Sequence, residues 1–264
     1  MPEGDTVAGH AERLRSVLVG SEVQLVAGTA PSVRVNSGRI LGATVTSVRS
    51  LGKNLVIDLS TGFSVLVHLG MNGRWQFGVD PKRTHGSARL ALATSDAAVA
   101  LYSAPTVEVD RTPAIDLGLK RLGPDLLGVF DRTEFLRRAR AMGPVTMAKL
   151  LLDQRVWAGI GNVYKSELLF LVGIDPHVSS EDVGDEVLLE IGRLGGELLS
   201  LNVGRPRSTT GSLERAQETW VYGQAGHGCR RCGTRIEMGW IDDRVTYWCP
   251  TCQPPHTGRE STAS

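Results

Sequence analysis

Apolar residues at Val7, Ala8, Ala11, Leu14, Val17 and Leu18 recur at helical spacing, and Gly20 closes the run. Residues 7 to 19 therefore read as an amphipathic helix. From about residue 22 to 110 the period shortens. Runs rich in Val, Leu, Ile and Thr alternate with Gly, Ser, Asn and Asp: Glu22–Val26, Ile40–Val48, Leu55–Leu59, Ser64–Leu69, Ala88–Ala93 and Ala98–Ser103. This pattern predicts a compact β-sandwich or barrel of short strands. Leu122-Gly123-Pro124-Asp125 reads as a boundary. Helical spacing then returns near 132–141, 145–153, 163–172 and 181–200. From 221 the chain turns Gly- and Cys-rich, and beyond Cys252 the sequence predicts a disordered tail.

Composition narrows the class. Of 264 residues, 41% are hydrophobic and 22% charged, which excludes a mostly disordered chain and a collagen-like repeat. No apolar run approaches the roughly 18–20 residues that span a bilayer. The start, Met-Pro-Glu-Gly-Asp, is acidic with no apolar stretch behind it, so no secretory or transit signal is expected and the cytosol is the default compartment. The net charge of +1 hides a segregation: Asp175 and residues 181–190 carry six acids, so the remainder sums to +7. Basic clusters stand at Lys82-Arg83, at Arg137-Arg138 with Arg140, and at Arg230-Arg231 with Arg235. Segregated charge attracts an anionic polymer, although charge alone fits an ordinary solvated surface equally well.

All four cysteines fall late, as Cys229-x2-Cys232-x16-Cys249-x2-Cys252. Two Cys-x-x-Cys knuckles at this separation suit tetrahedral zinc. The competing reading, two disulfides, fits a cytosolic chain poorly. His227 and His256 are nearby, but four thiolates complete the shell, so the metal is structural. Ile236–Ile241 and Arg244–Trp248 flank Asp242-Asp243 and read as a β-hairpin. Arg244 follows the turn on an element stiffened by metal, where an arginine can grip a phosphate; any single such arginine is more often an exposed strand residue.

Residues 145 to 176 describe a helix to about Asp153, a long turn containing Gly159 and Gly161, and a second helix ended by Gly173 and Asp175-Pro176. Asn162 is expected as the N-cap of that second helix. A Gly-rich turn into a helix start presents backbone N–H groups to an anion, and the Asn162 amide is a candidate donor to the same phosphate. A simple capped pair of helices is the alternative.

Five separated segments, in order, resemble the formamidopyrimidine-DNA glycosylase/endonuclease VIII family of base-excision repair. They are Met1-Pro2-Glu3-Gly4, Gly52-Lys53-Asn54-Leu55, His68-Leu69-Gly70-Met71-Asn72-Gly73, Leu151 to Gln154 with Gly159 to Asn162, and Val221-Tyr222-Gly223 with the cysteines and Arg244 to Pro250. The resemblance covers nearly the whole chain to Cys252. It implies an α+β fold: an N-terminal antiparallel β-sandwich with a leading helix over 1–124, a helix–two-turns–helix domain over 125–220, a zinc hairpin over 221–253, and a tail over 254–264. It implies catalysis by Pro2, made N-terminal by removal of Met1, whose secondary amine attacks C1′ of a damaged nucleotide. Glu3 would shuttle protons on the sugar. Lys53 would contact the phosphate at the lesion, with Asn162 and Arg244 clamping its neighbours. Met71 would fill the gap left by the extruded base, and Arg121 would contact DNA. A core methionine is the alternative for Met71. One structural zinc, damaged DNA as partner, no membrane, no small-molecule cofactor, a monomer and a bacterial cytosolic or nucleoid location complete the expectation.

Within the family, the start Met-Pro-Glu-Gly-Asp-Thr resembles an actinobacterial endonuclease VIII-like subgroup. Ser103 to Glu108 lacks the Arg-x-Phe-Gly void-fillers of the guanine-directed branch, and Thr210 to Trp220 is short. Both point to oxidised pyrimidines. Asp5-Thr6 stands where the family commonly has Pro-Glu, and Asp243 where it often has glycine before the hairpin arginine, which puts a carboxylate beside Arg244. Two rivals follow: a DNA lesion-binding module without chemistry, and a glycosylase directed at 8-oxoguanine.

Overall fold

The computed structural model describes residues 1–80, 87–211 and 218–255. The Lys82-Arg83 pair, His256 and the tail beyond it lie outside the described residues, as does the middle of the 210–220 stretch. The chain divides into two compact units, Met1–Arg121 and Leu122–Ser264.

The first unit opens with α1 (Gly4–Leu18), and continues through β1 (Leu25–Ala27), α2 (Pro31–Ile40), β2 (Val45–Leu51), β3 (Asn54–Leu59), β4 (Phe63–His68), β5 (Arg74–Phe77), β6 (Leu90–Ala93), β7 (Ala98–Tyr102), β8 (Thr106–Arg111) and α3 (Thr112–Leu119). Two antiparallel four-stranded sheets result, in the orders β1-β6-β7-β5 and β2-β3-β4-β8. One core joins them. It takes Leu55, Ile57, Val65, Val67, Val107 and Val109 from one sheet, Trp75, Leu90, Leu92, Val99 and Leu101 from the other, and Val7, Ala11, Leu14 and Leu18 from α1. Alternate residues point inward because successive strand side chains face opposite sides of a sheet. This is the expected sandwich with a leading helix.

Four elements differ from the sequence expectation: α2, β5, β8 and α3. Ile40 closes α2 instead of opening a strand: Pro31 sits at the first turn, where its missing N–H has no cost, and Val33 and Ile40 anchor the helix to the core. Gly42, at φ 75°, turns the chain so that pairing begins at Val45. β5, β8 and α3 also form where no regular element was expected. In β8, Glu108 and Asp110 face outward while Val107 and Val109 are buried, and six residues pair with β4.

The second unit holds α4 (Arg132–Ala141), α5 (Met147–Leu152), α6 (Asn162–Val172) and α7 (Asp185–Asn202), followed by the hairpin β9 (Glu237–Ile241) and β10 (Arg244–Trp248). Its helical core stacks Phe135 on Trp157 at 4.8 Å, beside Leu150, Leu168, Ile191 and Leu199. A smaller core of Phe170, Val221, Ile236 and the buried Cys229 and Cys249 seats the hairpin on α6.

Candidate active site

Strand register brings the Lys53 turn and the start of the Met71 loop to one edge of the sandwich. Leu51 pairs with Asn54 across the β2–β3 turn, so Gly52, at φ 56°, and Lys53 form its tip. Asn54 pairs with His68, and His68 with Thr106, so the end of β4 lies beside that tip. α1 lies along β2: the Gly20 amide donates to Val45 O at 2.9 Å, and the Arg15 guanidinium to Val48 O at 2.8 and 3.1 Å. From Arg15 back to Glu3 is twelve residues, about 18 Å of helix. From Val48 on to Lys53 is five residues, about 17 Å of strand. The start of α1 is therefore directed toward the end of β2 that leads into the Lys53 turn. Glu3 is fully buried and Pro2 partly exposed. Asp5 is buried too, its Oδ1 accepting from the amide (2.7 Å) and hydroxyl (3.1 Å) of Thr6.

The β4–β5 loop projects Met71 from that edge. Gly70 adopts φ 60°, and a Cβ there would lie 2.7 Å from the Pro105 ring; a Cβ on Gly73 would lie 2.3 Å from Leu69 O. Only glycines fit this tight turn, which leaves Met71 67% exposed. It is therefore not a core methionine. His68, which sequence reasoning quoted but did not single out, supports the same loop. Its Nδ1 accepts from the Gly70 amide at 3.1 Å, leaving Nε2 as the donor of the neutral ring. Burial, and then the neighbouring Lys53 charge, hold its pKa below the usual histidine value. β7 and β8 are joined by only Ser103 to Pro105, with Ala104 buried. Arg121 ends the unit, exposed, with Nε donating to Gly118 O at 3.0 Å.

In the second unit Asn162 and the hairpin come together. The N-cap of α6 is Gly161, not Asn162, which is the first helical residue. The asparagine side chain is turned instead to the hairpin, Nδ2 donating to Val245 O at 2.8 Å and Oδ1 accepting from Lys165 Nζ at 2.8 Å. Lys165, fully buried, also donates to Val245 O (3.1 Å) and Thr246 Oγ1 (2.6 Å). Arg244 is exposed, and no hydrogen bond or ion pair engages its guanidinium among the described residues; the neighbouring Asp243 carboxylate does not capture it. Glu167, also fully buried, accepts from the amides of Trp220 (2.7 Å), Val221 (2.9 Å) and Tyr222 (2.8 Å) and from the Thr209 hydroxyl, fixing the strand of chain that enters the knuckles. Sequence reasoning missed Lys165 and Glu167. Their signal is a charge within an otherwise apolar helix, but apart from Asn162 their partners named here lie 42 to 81 residues away.

The four cysteine sulfurs lie within 4.8 Å of one another, with Cys229–Cys252 at 3.9 Å and Cys232–Cys249 at 3.5 Å. Four thiolates about 2.3 Å from one tetrahedral ion stand about 3.8 Å apart, whereas a disulfide needs about 2.05 Å. The cluster fits one structural zinc and not two disulfides.

Three family models match the chain in order: the formamidopyrimidine-DNA glycosylase N-terminal domain over 1–105, its H2TH domain over 122–209, and a zinc finger found in FPG and IleRS over 226–255. Among curated proteins, "Probable endonuclease 8 2" of Streptomyces coelicolor is 38% identical over 96% of this chain and 94% of its own length. The chain belongs to the formamidopyrimidine-DNA glycosylase/endonuclease VIII family. The "DNA-(apurinic or apyrimidinic site) lyase Nei2" of Mycolicibacterium smegmatis is 39% identical over 96% of this chain and 99% of its own. Among solved structures, the complex between Lactococcus lactis Fpg and abasic-site DNA has TM-score 0.83 at 23% identity, covering 96% of this chain and all of that one. The chain is thus a member of the DNA glycosylase/AP lyase enzymes of base-excision repair, with a four-cysteine zinc hairpin. Among the described residues no helix is long and apolar enough to cross a membrane.

Proposed function

We propose that the chain is a bifunctional glycosylase/AP lyase that removes oxidised pyrimidines through Pro2. The observation that carries this reading is the register of β2, β3 and β4, which puts the Lys53 turn beside the strand end leading into the exposed Met71 loop, with α1 running along β2 toward that turn. Removal of Met1 makes Pro2 a secondary amine. An α-amino group has a reference pKa near 8, so a useful neutral fraction exists at cellular pH. The neutral nitrogen attacks C1′ and the base leaves with the bonding electron pair and a proton. Ring opening gives an iminium; loss of a C2′ proton expels the 3′ phosphate, and water releases the amine. Glu3 carries protons to and from the sugar. Lys53 holds the phosphate at the lesion. Arg244, uncommitted within the described residues, and the second Nδ2 hydrogen of Asn162 clamp phosphates, and Arg121 adds a backbone contact.

Oxidised pyrimidines are favoured over purines because the β7–β8 link carries only Ser103, Ala104 and Pro105, and no large side chain beside Met71. The test pairs thymine-glycol and 8-oxoguanine duplexes with chain of verified mass. Faster excision of thymine glycol is expected. Faster excision of 8-oxoguanine overturns the specificity, and binding without cleavage of either overturns the chemistry.

A further inference from the structure

The sequence places carboxylates at both residues of the β9–β10 turn, and both adopt left-handed backbone: Asp242 at φ 47° and Asp243 at φ 61°. Two-residue hairpin turns require this conformation, and glycine or asparagine satisfies it with less strain. The Asp242 carboxylate has a partner that turn geometry does not demand. Its Oδ2 accepts from the Thr146 hydroxyl at 2.9 Å, a contact spanning 96 residues of chain. Thr146 is itself held firmly. Its Oγ1 caps α5 by accepting from the Lys149 amide at 3.2 Å, and its backbone bridges Ser179, with the Met147 amide donating to Val178 O at 2.8 Å.

On the other side of Arg244, Val245 O and Thr246 Oγ1 receive the Asn162 and Lys165 donors already described. The arginine is therefore bracketed. Contacts to the helical core fix the residue two before it and the two after it, while its guanidinium stays exposed and uncommitted among the described residues. The geometry points to Asp242 and Thr146 as positioning residues for Arg244: their hydrogen bond latches the hairpin tip to the start of α5 and aims the guanidinium at the DNA phosphate. This rests on the phosphate role proposed above for Arg244. The carboxylate at 242 then has a use in the turn, whereas Asp243, which directly precedes the arginine, takes no part in the latch.

The test compares single-turnover cleavage of an abasic-site duplex, and duplex affinity across a salt series, in full-length protein of verified zinc content. Asp242→Gly removes the acceptor yet suits the positive φ, so the hairpin still folds. A single hydrogen bond of ordinary strength corresponds to about three- to tenfold in rate, and a loss of that size is expected. Thr146→Ala should lose a similar factor, Thr146→Ser and Asp242→Asn should restore most of it, and Asp242→Gly with Thr146→Ala together should lose no more than either alone. In an Arg244→Ala background, Asp242→Gly should change nothing further, which a merely stabilising contact would not predict. Cleavage by Asp242→Gly at the wild-type rate overturns the latch, as does an equal further loss in the Arg244→Ala background. If the wild-type chain binds DNA without cleaving it, the catalytic reading fails separately. The latch is then judged on affinity: Asp242→Gly should flatten the salt slope toward that of Arg244→Ala, and an unchanged slope overturns it.

Discussion

Gly70→Ala tests how the Met71 loop is built. The native residue sits at φ 60°, where an added Cβ costs about 1–2 kcal/mol through its clash with the backbone. That Cβ would also lie 2.7 and 2.9 Å from Cγ and Cδ of Pro105, well inside the ordinary carbon–carbon separation of about 3.5–4.0 Å. The proline ring cannot step aside freely, because it closes the short link into β8. Overpacking of this kind costs about 1–3 kcal/mol. The two add to about 2–5 kcal/mol, a large part of a typical stability of about 5–15 kcal/mol. At roughly 4 °C per kcal/mol, the first unit should melt about 8–20 °C lower. Met71→Ala is the control. At 67% exposure its side chain contributes little to packing, so its melting should stay within about 0.5 kcal/mol of wild type while excision falls. Differential scanning fluorimetry and a thymine-glycol nicking assay read both. Unchanged melting of Gly70→Ala, or equal destabilisation by Met71→Ala, would refute the tight-loop geometry.

Three further outcomes follow from the same contacts. Metal analysis should find one zinc per chain and none in Cys249→Ala, whose hairpin should lose its protection from protease; a wild-type chain that folds and cleaves DNA without metal would contradict this. Glu167→Ala strands three amides, that of Val221 fully buried, and should cost about 3 kcal/mol or more in denaturant melts, with early loss of zinc; a change under about 1 kcal/mol would show that the carboxylate does not hold the 220–222 segment. His68 titrates below its unfolded value, so the unfolded chain takes the proton first as pH falls through about 6.5. Its contribution is present above that pH and declines below it until the folded value is reached. His68→Gln should therefore lose less melting temperature between pH 8 and pH 5 than wild type, and equal losses would contradict the assignment.

What could be read in advance was what local chemistry dictates. Zinc ligands recur at short fixed spacing because the ion's geometry is local, so the four cysteines were legible without a fold. The Met71 loop was expected from the family resemblance alone, with a core methionine as the alternative, and its exposure is visible only in the fold. The helices of the second unit carried clear apolar periodicity. β8 did not, since Glu108 and Asp110 are poor strand formers that are recruited by pairing with β4. α2 was hidden by valine, serine, asparagine and glycine, and stands on its proline start and two buried side chains. Asn162 was misjudged as a cap because asparagine favours that position in general, whereas here a glycine precedes it and the hairpin carbonyl claims its amide. The partners of Lys165, Glu167 and Asp242 are distant in the chain, and only folding brings them together.

The central claim is that the amine of Pro2 is the nucleophile. The chain, freed of Met1 and checked by intact mass, is mixed with an abasic-site duplex and borohydride, and the trapped complex is digested and sequenced by mass spectrometry. The reduced sugar should sit on the nitrogen of the amino-terminal Pro2 peptide, and Pro2→Gly should trap far more slowly. A sugar found on Lys53 or another lysine, or no adduct from fully processed protein that binds the duplex, would contradict the account.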